Sequence, residues 1–570
     1  MNSNISKSFT VKIILLFILY SIIYFVFTYP TIWNFSSELI GKNDAYVVLW
    51  NTYIFETGIQ SGKIWTTHQS FYPWGTSLIL HGSTPFIGLV SLLFNNKILL
   101  FNSFIYVMFI LSAIGGFWLS KYFLKNSYFA IICGFIFAFS PYKMARIEEH
   151  YPLVFTALIP FVLLFFIKAF SFKNLDLIPK ISSKKYLILL ILTGLLGFII
   201  DYTICFQMIY LCALFLMFFY ISVSLKKINK WSQWTIVISS IIIIHSIISF
   251  LLHHGNDGNG AFWWSGKWTD FIIPYNARIY PHLGSKLLDY YSVQNQLIES
   301  DMFLGYSLLF AFIISIIFYF KLNNIDKNIK ALFFTLCMLV AIVMPTIRLP
   351  FSFTFYPPTA ILHFLPVIKN LRCPTRFIND IMLVMPIIIF YVLEQISITK
   401  QIKFVLATIL FIAVFIEYFP ARYSYINYNS VPKIYSELAK KSGESVLVYP
   451  LGLRDGMKLE GKFDIETMQY QTVYRKKTMG GYISRLDDWM WFVHYQNAFT
   501  NTLIQLEKDS LYSIPNADYQ KALKELKLDY VVIPQKYRNE KAAVFLQSTI
   551  NSNMIQKEEI NGDLLITLKR

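Results

Sequence analysis

Pro30-Thr31-Ile32-Trp33, Gly41-Lys42-Asn43-Asp44-Ala45-Tyr46, Phe71-Tyr72-Pro73-Trp74-Gly75 and His81-Gly82-Ser83-Thr84-Pro85 mark out the first long polar stretch of the chain, residues 30–86. An apolar run, 13–29, precedes it, and most of the sequence that follows is apolar again. Asp44 therefore stands just past a first membrane helix, in a loop too aromatic to be an inert connector, and chemistry is expected there.

The surrounding composition sets the class. The 570 residues are 55% hydrophobic, 18% aromatic and only 15% charged, with a mean hydropathy of +0.50; these values describe a polytopic α-helical membrane protein. In a soluble protein the net charge of +17 would suggest nucleic acid. Here the lysines collect in short loops on one side of the bilayer, so the expected partners are membrane lipid and no nucleic acid. Of the five cysteines, Cys133, Cys205, Cys212 and Cys337 lie in apolar runs and Cys373 stands alone, which gives neither a disulfide framework nor a metal spacing. The run 13–29 is too long for the core of a secretion signal and no small-residue cleavage site follows, so it reads as a retained first helix.

At about 20 apolar residues per crossing, helices are expected near 11–29, 98–120, 127–142, 151–170, 186–200, 203–223, 234–253, 303–320, 330–346, 377–395 and 402–419, about eleven in all. With the N-terminus cytoplasmic, the inside loops hold Lys121 and Lys125, then Lys184 and Lys185, then Lys226 and Lys230, then Lys321 and Lys327, then Lys400 and Lys403. Every inside loop is then basic. The short apolar stretch 85–94 would invert this pattern if it crossed, so it is expected to lie along the interface or dip into it. The resulting division is a transmembrane domain, 1–419, with outer loops 30–97, 254–302 and 346–376, and an extracytoplasmic α/β domain, 420–570. In the latter, 431–441 and 517–526 read as helices and 445–450 and 529–534 as strands. The crossings themselves read as free of buried charge. The protein is expected in the cell membrane.

The candidate chemistry lies in the outer segments. Asp44 offers a carboxylate that can act as a base, or cap a helix running 45–58. The second outer turn, Ser140-Pro141-Tyr142-Lys143-Met144-Ala145-Arg146-Ile147-Glu148-Glu149-His150, sets adjacent carboxylates beside an imidazole. Glu148 and Glu149 could hold a divalent cation, Mg or Mn, while Arg146 meets a phosphate and His150 a substrate; a plain solvated turn is the alternative. Trp263, Trp264 and Trp268 in the long loop read as interfacial anchors or as a stacking surface, with Asp270 and Glu299-Ser300-Asp301 nearby. Arg372 and Arg376, basic on the outer side, call for a compensating anion such as a lipid-linked phosphate. No phosphate-cradling glycine loop and no dinucleotide motif is present, which argues against a soluble nucleotide donor.

Together these features resemble the GT-C superfamily of integral-membrane glycosyltransferases, in particular bacterial relatives whose acceptors are unassigned. The residues that carry the likeness are Asp44, His81-Gly82 with Thr84-Pro85, Ser140-Pro141-Tyr142 with Glu148-Glu149-His150, Glu299 ahead of Leu304-Gly305-Tyr306, and Arg372-Cys373-Pro374-Thr375-Arg376-Phe377. In the tail they are Tyr449-Pro450-Leu451-Gly452 and Gly480-Gly481-Tyr482-Ile483-Ser484-Arg485. The resemblance implies transfer of a sugar from a polyprenyl-phosphate carrier to a cell-envelope glycan, lipid or protein on the outer face. It implies Asp44 as base, His81, Arg146, His150, Glu299, Arg372 and Arg376 as substrate contacts, and Glu148 and Glu149 at the donor or metal. The sequence departs from many members in lacking a paired acid at Asp44 and an Asp-x-Asp in the second turn. Two other readings compete: a flippase of lipid-linked glycans, which would want charged or broken helices at mid-membrane, and a non-catalytic membrane assembly protein.

Overall fold

A computed structural model describes residues 2–569 except 80, 82–84, 173–178, 227–228, 256–260, 276, 281–282, 284–285, 288–300, 349–353, 366–372 and 429; the side chains of residues 2–10 and 552 are also outside it. The chain divides into two compact units. One is helical and comprises Met1–Ile32 and Ser103–Tyr423; the other comprises Trp33–Asn102 and Ser424–Arg570.

In the helical unit and at its edge, each expected apolar run is helical over most of its length. The helices are Asn2–Phe27, Lys97–Phe123, Ser127–Ala138, Ile159–Ala169, Lys184–Ile200, Tyr202–Lys226, Lys230–His253, Tyr306–Tyr319, Lys327–Val343, Ile378–Gln395 and Lys400–Glu417. Helix is the conformation in which such apolar segments satisfy their own backbone hydrogen bonds. Among the described residues, six segments are long and apolar enough to cross a membrane: Lys97–Phe123, Ser127–Ala145, Tyr151–Ala169, Tyr202–Lys226, Lys230–His253 and Pro374–Gln395. Four helix starts are closed by side-chain caps, with Asn126, Asn229, Asp326 and Thr399 accepting first-turn N–H groups. The core is aromatic. Phe135 meets Phe27, Phe139, Phe411 and Phe415 at ring-centroid distances of 6.0, 5.7, 5.2 and 5.8 Å, the offset and edge geometries that aromatic quadrupoles favour.

The crossings are not free of buried charge, as the sequence reading had supposed. Asp380 lies in the expected crossing 377–395, within the segment Pro374–Gln395, and Lys143, expected in the second outer turn, lies in the segment Ser127–Ala145; both are fully buried.

The second unit is an α/β body whose sequence is discontinuous. Its five-stranded sheet runs Lys477–Thr478, Ser445–Val448, Tyr530–Ile533, Asp563–Leu568, Met554–Ile560 in spatial order. The first three strands are parallel and the last two close an antiparallel hairpin. Asn561 and Gly562 turn that hairpin with φ of 54° and 88°, the left-handed pair required by the tightest hairpin turn. The helices Lys433–Lys440 and Tyr519–Glu525 and the strands Ser445–Val448 and Tyr530–Ile533 occupy the tail positions expected of them.

Residues 30–97 had been assigned to the transmembrane domain, yet 33–102 fold with the tail. Glu38, Leu39 and Ile40 pair antiparallel with Asn427, Ile426 and Tyr425. Helix Asn43–Ser61 then drops Val47, Trp50, Ile54 and Phe55 into the same core as Leu447, Tyr449, Leu451 and Met479. The stretch 85–94 forms a short helix, Pro85–Ser91, that packs on Asn43–Ser61. Gly88 makes the approach possible, since a Cβ there would sit 2.3 Å from the Phe55 Cβ.

Candidate functional site

Ser140 and Pro141 start a five-residue helix, Pro141–Ala145, at the end of an apolar segment. Proline suits this first position because its fixed φ is already helical. The turn aims Lys143 inward, where its Nζ donates to Ser112 Oγ at 2.5 Å and lies 4.7 Å from the Phe109 ring centroid. Arg146 is also fully buried, its guanidinium 4.4 Å over the Tyr142 ring. This is how a cation is held away from water, by π-faces and hydroxyls in place of hydration. His150 closes the turn in a left-handed conformation, φ 61°, a geometry that non-glycine residues adopt at a cost and that clusters at functional sites. Glu149 is buried and Glu148 and His150 are half-buried.

One carboxylate, Asp301, answers Arg146, and Asp270 in turn acts on Asp301. Burial pushes Asp301 up to about 6, against the pull of the Arg146 guanidinium and with a further push from Asp270. Burial likewise pushes Asp270 up to about 6, although it accepts the Lys267 backbone N–H at 2.8 Å and the Tyr275 hydroxyl at 3.3 Å. Asp301 keeps one carboxylate oxygen without a hydrogen-bond partner among the described residues. Neither aspartate had been singled out for a role from the sequence, where they looked like ornaments of an aromatic loop. A buried acid is a different object from an exposed one, and local pattern does not report burial.

A second group surrounds Arg376. Burial raises the Asp201 carboxyl, and hydrogen bonds from Thr203 and the Arg376 guanidinium oppose it. The Thr203 backbone N–H reaches Asp201 at 2.8 Å. Asn379 donates to the Arg376 main-chain oxygen at 3.4 Å. Asp380, wholly buried, has no hydrogen-bond partner among the described residues. Glu299 and Arg372 lie outside the described residues.

Asp44 and His81 belong to the α/β unit. Asp44 is the second residue of helix Asn43–Ser61, where the partial positive charge of the helix start favours a carboxylate. The cap position falls on Lys42, without a side-chain capping bond, so Asp44 is not the cap that the sequence offered as an alternative. His81 is fully engaged. Its Nδ1 accepts the Ser484 backbone N–H at 3.0 Å, which leaves the proton on Nε2 to be donated to Asn51 Oδ1 at 2.8 Å. Burial pushes it down to about 4, so a neutral imidazole ties residue 51 to residue 484, with no ring nitrogen left over for a ligand.

Among the described residues, no three of His, Cys, Asp or Glu gather as cation ligands. Glu148, Glu149 and His150 thus do not form a complete coordination shell by themselves.

No known family's sequence model and no curated protein matches this chain. Among solved structures it is similar to the Archaeoglobus fulgidus oligosaccharyltransferase complexed with Zn and sulfate, at 11% identity and a TM-score of 0.50, over 97% of this chain and 73% of that one. The apo form of that enzyme gives 11% and 0.49 over 94% and 71%. The mycobacterial arabinofuranosyltransferase AftD gives 12% and 0.47, over 92% of this chain but only 36% of that one. These neighbours are GT-C glycosyltransferases, and at this identity the likeness to the first is one of fold alone: the chain is folded like that oligosaccharyltransferase.

Proposed function

We propose that the chain is a membrane glycosyltransferase that moves a sugar from a polyprenyl-phosphate-linked donor to an acceptor outside the membrane. The observation that carries this reading is the burial of Asp301 beside Arg146, and of Asp201 beside Arg376, in a unit built mainly of apolar helices. Ionisable groups in such surroundings are expensive to keep and mark substrate sites by default. The shared fold raises the expectation for glycosyl transfer by analogy only.

In the proposed reaction an acceptor hydroxyl attacks the anomeric carbon and the carbon–oxygen bond to phosphate breaks. The bonding pair leaves with the phosphate, whose charge Arg146, Arg376 and Arg372 neutralise. The hydroxyl proton passes to Asp44. His150 and Glu299 contact the sugar, and His81 supports the Asp44 helix through Asn51. When bound, a Mg or Mn ion would rest on Glu148 and Glu149 and lend positive charge to the donor phosphate.

The shared core constrains sidedness. Residues 33–102 and 424–570 share one hydrophobic core, so they lie on one side, and an even number of crossings must separate them. Of the eleven apolar helices named above among the described residues, ten follow the first polar stretch; if each crosses, their number is even, as the lysine pattern also requires.

The test is Asp44→Asn in purified membranes with a labelled polyprenyl-phosphate sugar. Transfer is expected to drop by about 10²-fold or more; transfer at the wild-type rate would remove Asp44 as the base.

A further inference from the structure

The α/β unit contains an open cleft of about 470 Å³ beside the start of helix Asn43–Ser61. Its aromatic walls are Tyr46, Tyr425, Phe463 and Tyr537, and its acids are Asp464 and Glu466. The volume is in the range of small-ligand sites.

The polar groups of the cleft are arranged to accept hydrogen bonds. Tyr537 donates its hydroxyl proton to Asp464 Oδ2 at 3.1 Å, and the Lys536 ammonium pairs with the same oxygen at 2.7 Å. Tyr46 lies 3.5 Å from Glu466 Oε1, and Tyr470 donates to Oε2 at 2.7 Å. Burial and then the Glu466 charge raise the Tyr46 hydroxyl, which therefore keeps its proton. Each carboxylate has about four lone-pair positions, and a tyrosine whose proton is committed to an acid still offers its oxygen as an acceptor. Asn43 and Lys42 add an amide and an ammonium at the rim. Lys42 and Lys536 offset the two carboxylates, so the cleft carries no net charge to attract an anion or a cation.

A fitting ligand must donate many hydrogen bonds, be uncharged, and present C–H faces to flat rings. We propose that this cleft binds a neutral saccharide residue. That the saccharide is the acceptor, or the growing end of one, rests on the glycosyltransferase reading; the binding itself does not.

The probe is a set of methyl glycosides of glucose, galactose, mannose, rhamnose and N-acetylglucosamine, presented to the full chain in detergent micelles and read by saturation-transfer NMR. At least one glycoside should show transfer from the protein, and Tyr46→Ala and Glu466→Gln should each weaken it by about tenfold, roughly 1.4 kcal/mol. Unchanged thermal unfolding of Glu466→Gln serves as the folding control, and Glu466→Asp should restore part of the signal. The proposal is overturned if no glycoside binds, if binding survives both substitutions, or if only trilysine or inorganic phosphate responds. Glycoside binding by a chain that transfers no sugar keeps this cleft and removes the enzyme reading. Transfer without glycoside binding does the reverse.

Discussion

Trp50 donates its indole N–H to the side-chain oxygen of Gln471 at 2.6 Å, across 421 residues of sequence. The Gln471 amide then donates to the main-chain oxygens of Gln69 and Lys476 at 2.6 and 3.0 Å, so one buried side chain holds three segments. Trp50→Phe leaves a buried acceptor without its indole donor and should cost about 1–3 kcal/mol. Gln471→Leu, which strips these three bonds and the one from the Ser70 hydroxyl at 3.3 Å, should cost more. Denaturant unfolding in micelles checks both, and equal midpoints for Trp50→Phe and wild type would show that the bond adds nothing.

His81 and His494 are both buried, and burial pushes them down to about 4 and about 3. Unfolded, each would titrate near 6.5. The folded state thus binds fewer protons in between, and the stability these groups contribute is complete above about pH 6.5 and lost as pH falls toward 4. The melting temperature should fall over that window, and by less in His81→Gln. Comparing the two proteins isolates His81 from Glu507, which burial pushes up to about 8. An identical pH slope in the variant would contradict the assignment.

In the proposed reaction Asp301 serves Arg146 as a positioning residue. Below about pH 6 it takes up a proton and its hold on the guanidinium weakens. In a sugar-transfer assay KM for the lipid-linked donor should rise as pH falls through about 6 with kcat little changed, and Asp301→Asn should flatten that dependence. A variant whose KM still climbs over the same range would point to another titrating group.

The single core formed by 33–102 and 424–570 fixes a topological outcome. Lys63 and Lys557 are both exposed in that unit. With the five native cysteines replaced by serine, Lys63→Cys and Lys557→Cys should label together with a membrane-impermeant maleimide on intact cells. Labelling of one but not the other would break the unit apart.

The apolar runs told where the helices lie because twenty or so apolar residues leave a chain little else to do in lipid. The tail's strands were equally legible from β-branched runs such as Val446-Leu447-Val448 and Val531-Val532-Ile533. The partner of residues 43–61 was not. Val47, Trp50, Ile54 and Phe55 announce a buried helical face, but periodicity carries no address for the surface that buries it. Asn561-Gly562 was a hairpin signal in plain view, flanked by strand-forming residues. The burial of Lys143, Asp270, Asp301 and Asp380 was not legible because charge in a sequence is read as solvated unless burial is known. Asp44 and the Arg146 turn could be found from their positions after apolar runs, whereas the double engagement of His81 needed coordinates.

The break in the α/β unit also orders its birth on the ribosome. Residues 103–423 must be made between its two halves, and at about 5–20 residues per second that interval is on the order of tens of seconds. Throughout it Trp50, Phe55 and Phe71 have no Leu447 or Met479 to cover them. The nascent amino-terminal half must wait with its greasy face shielded by lipid, the insertion machinery or a holdase, and a cell short of that protection would lose the protein during synthesis, before any question of its activity arises.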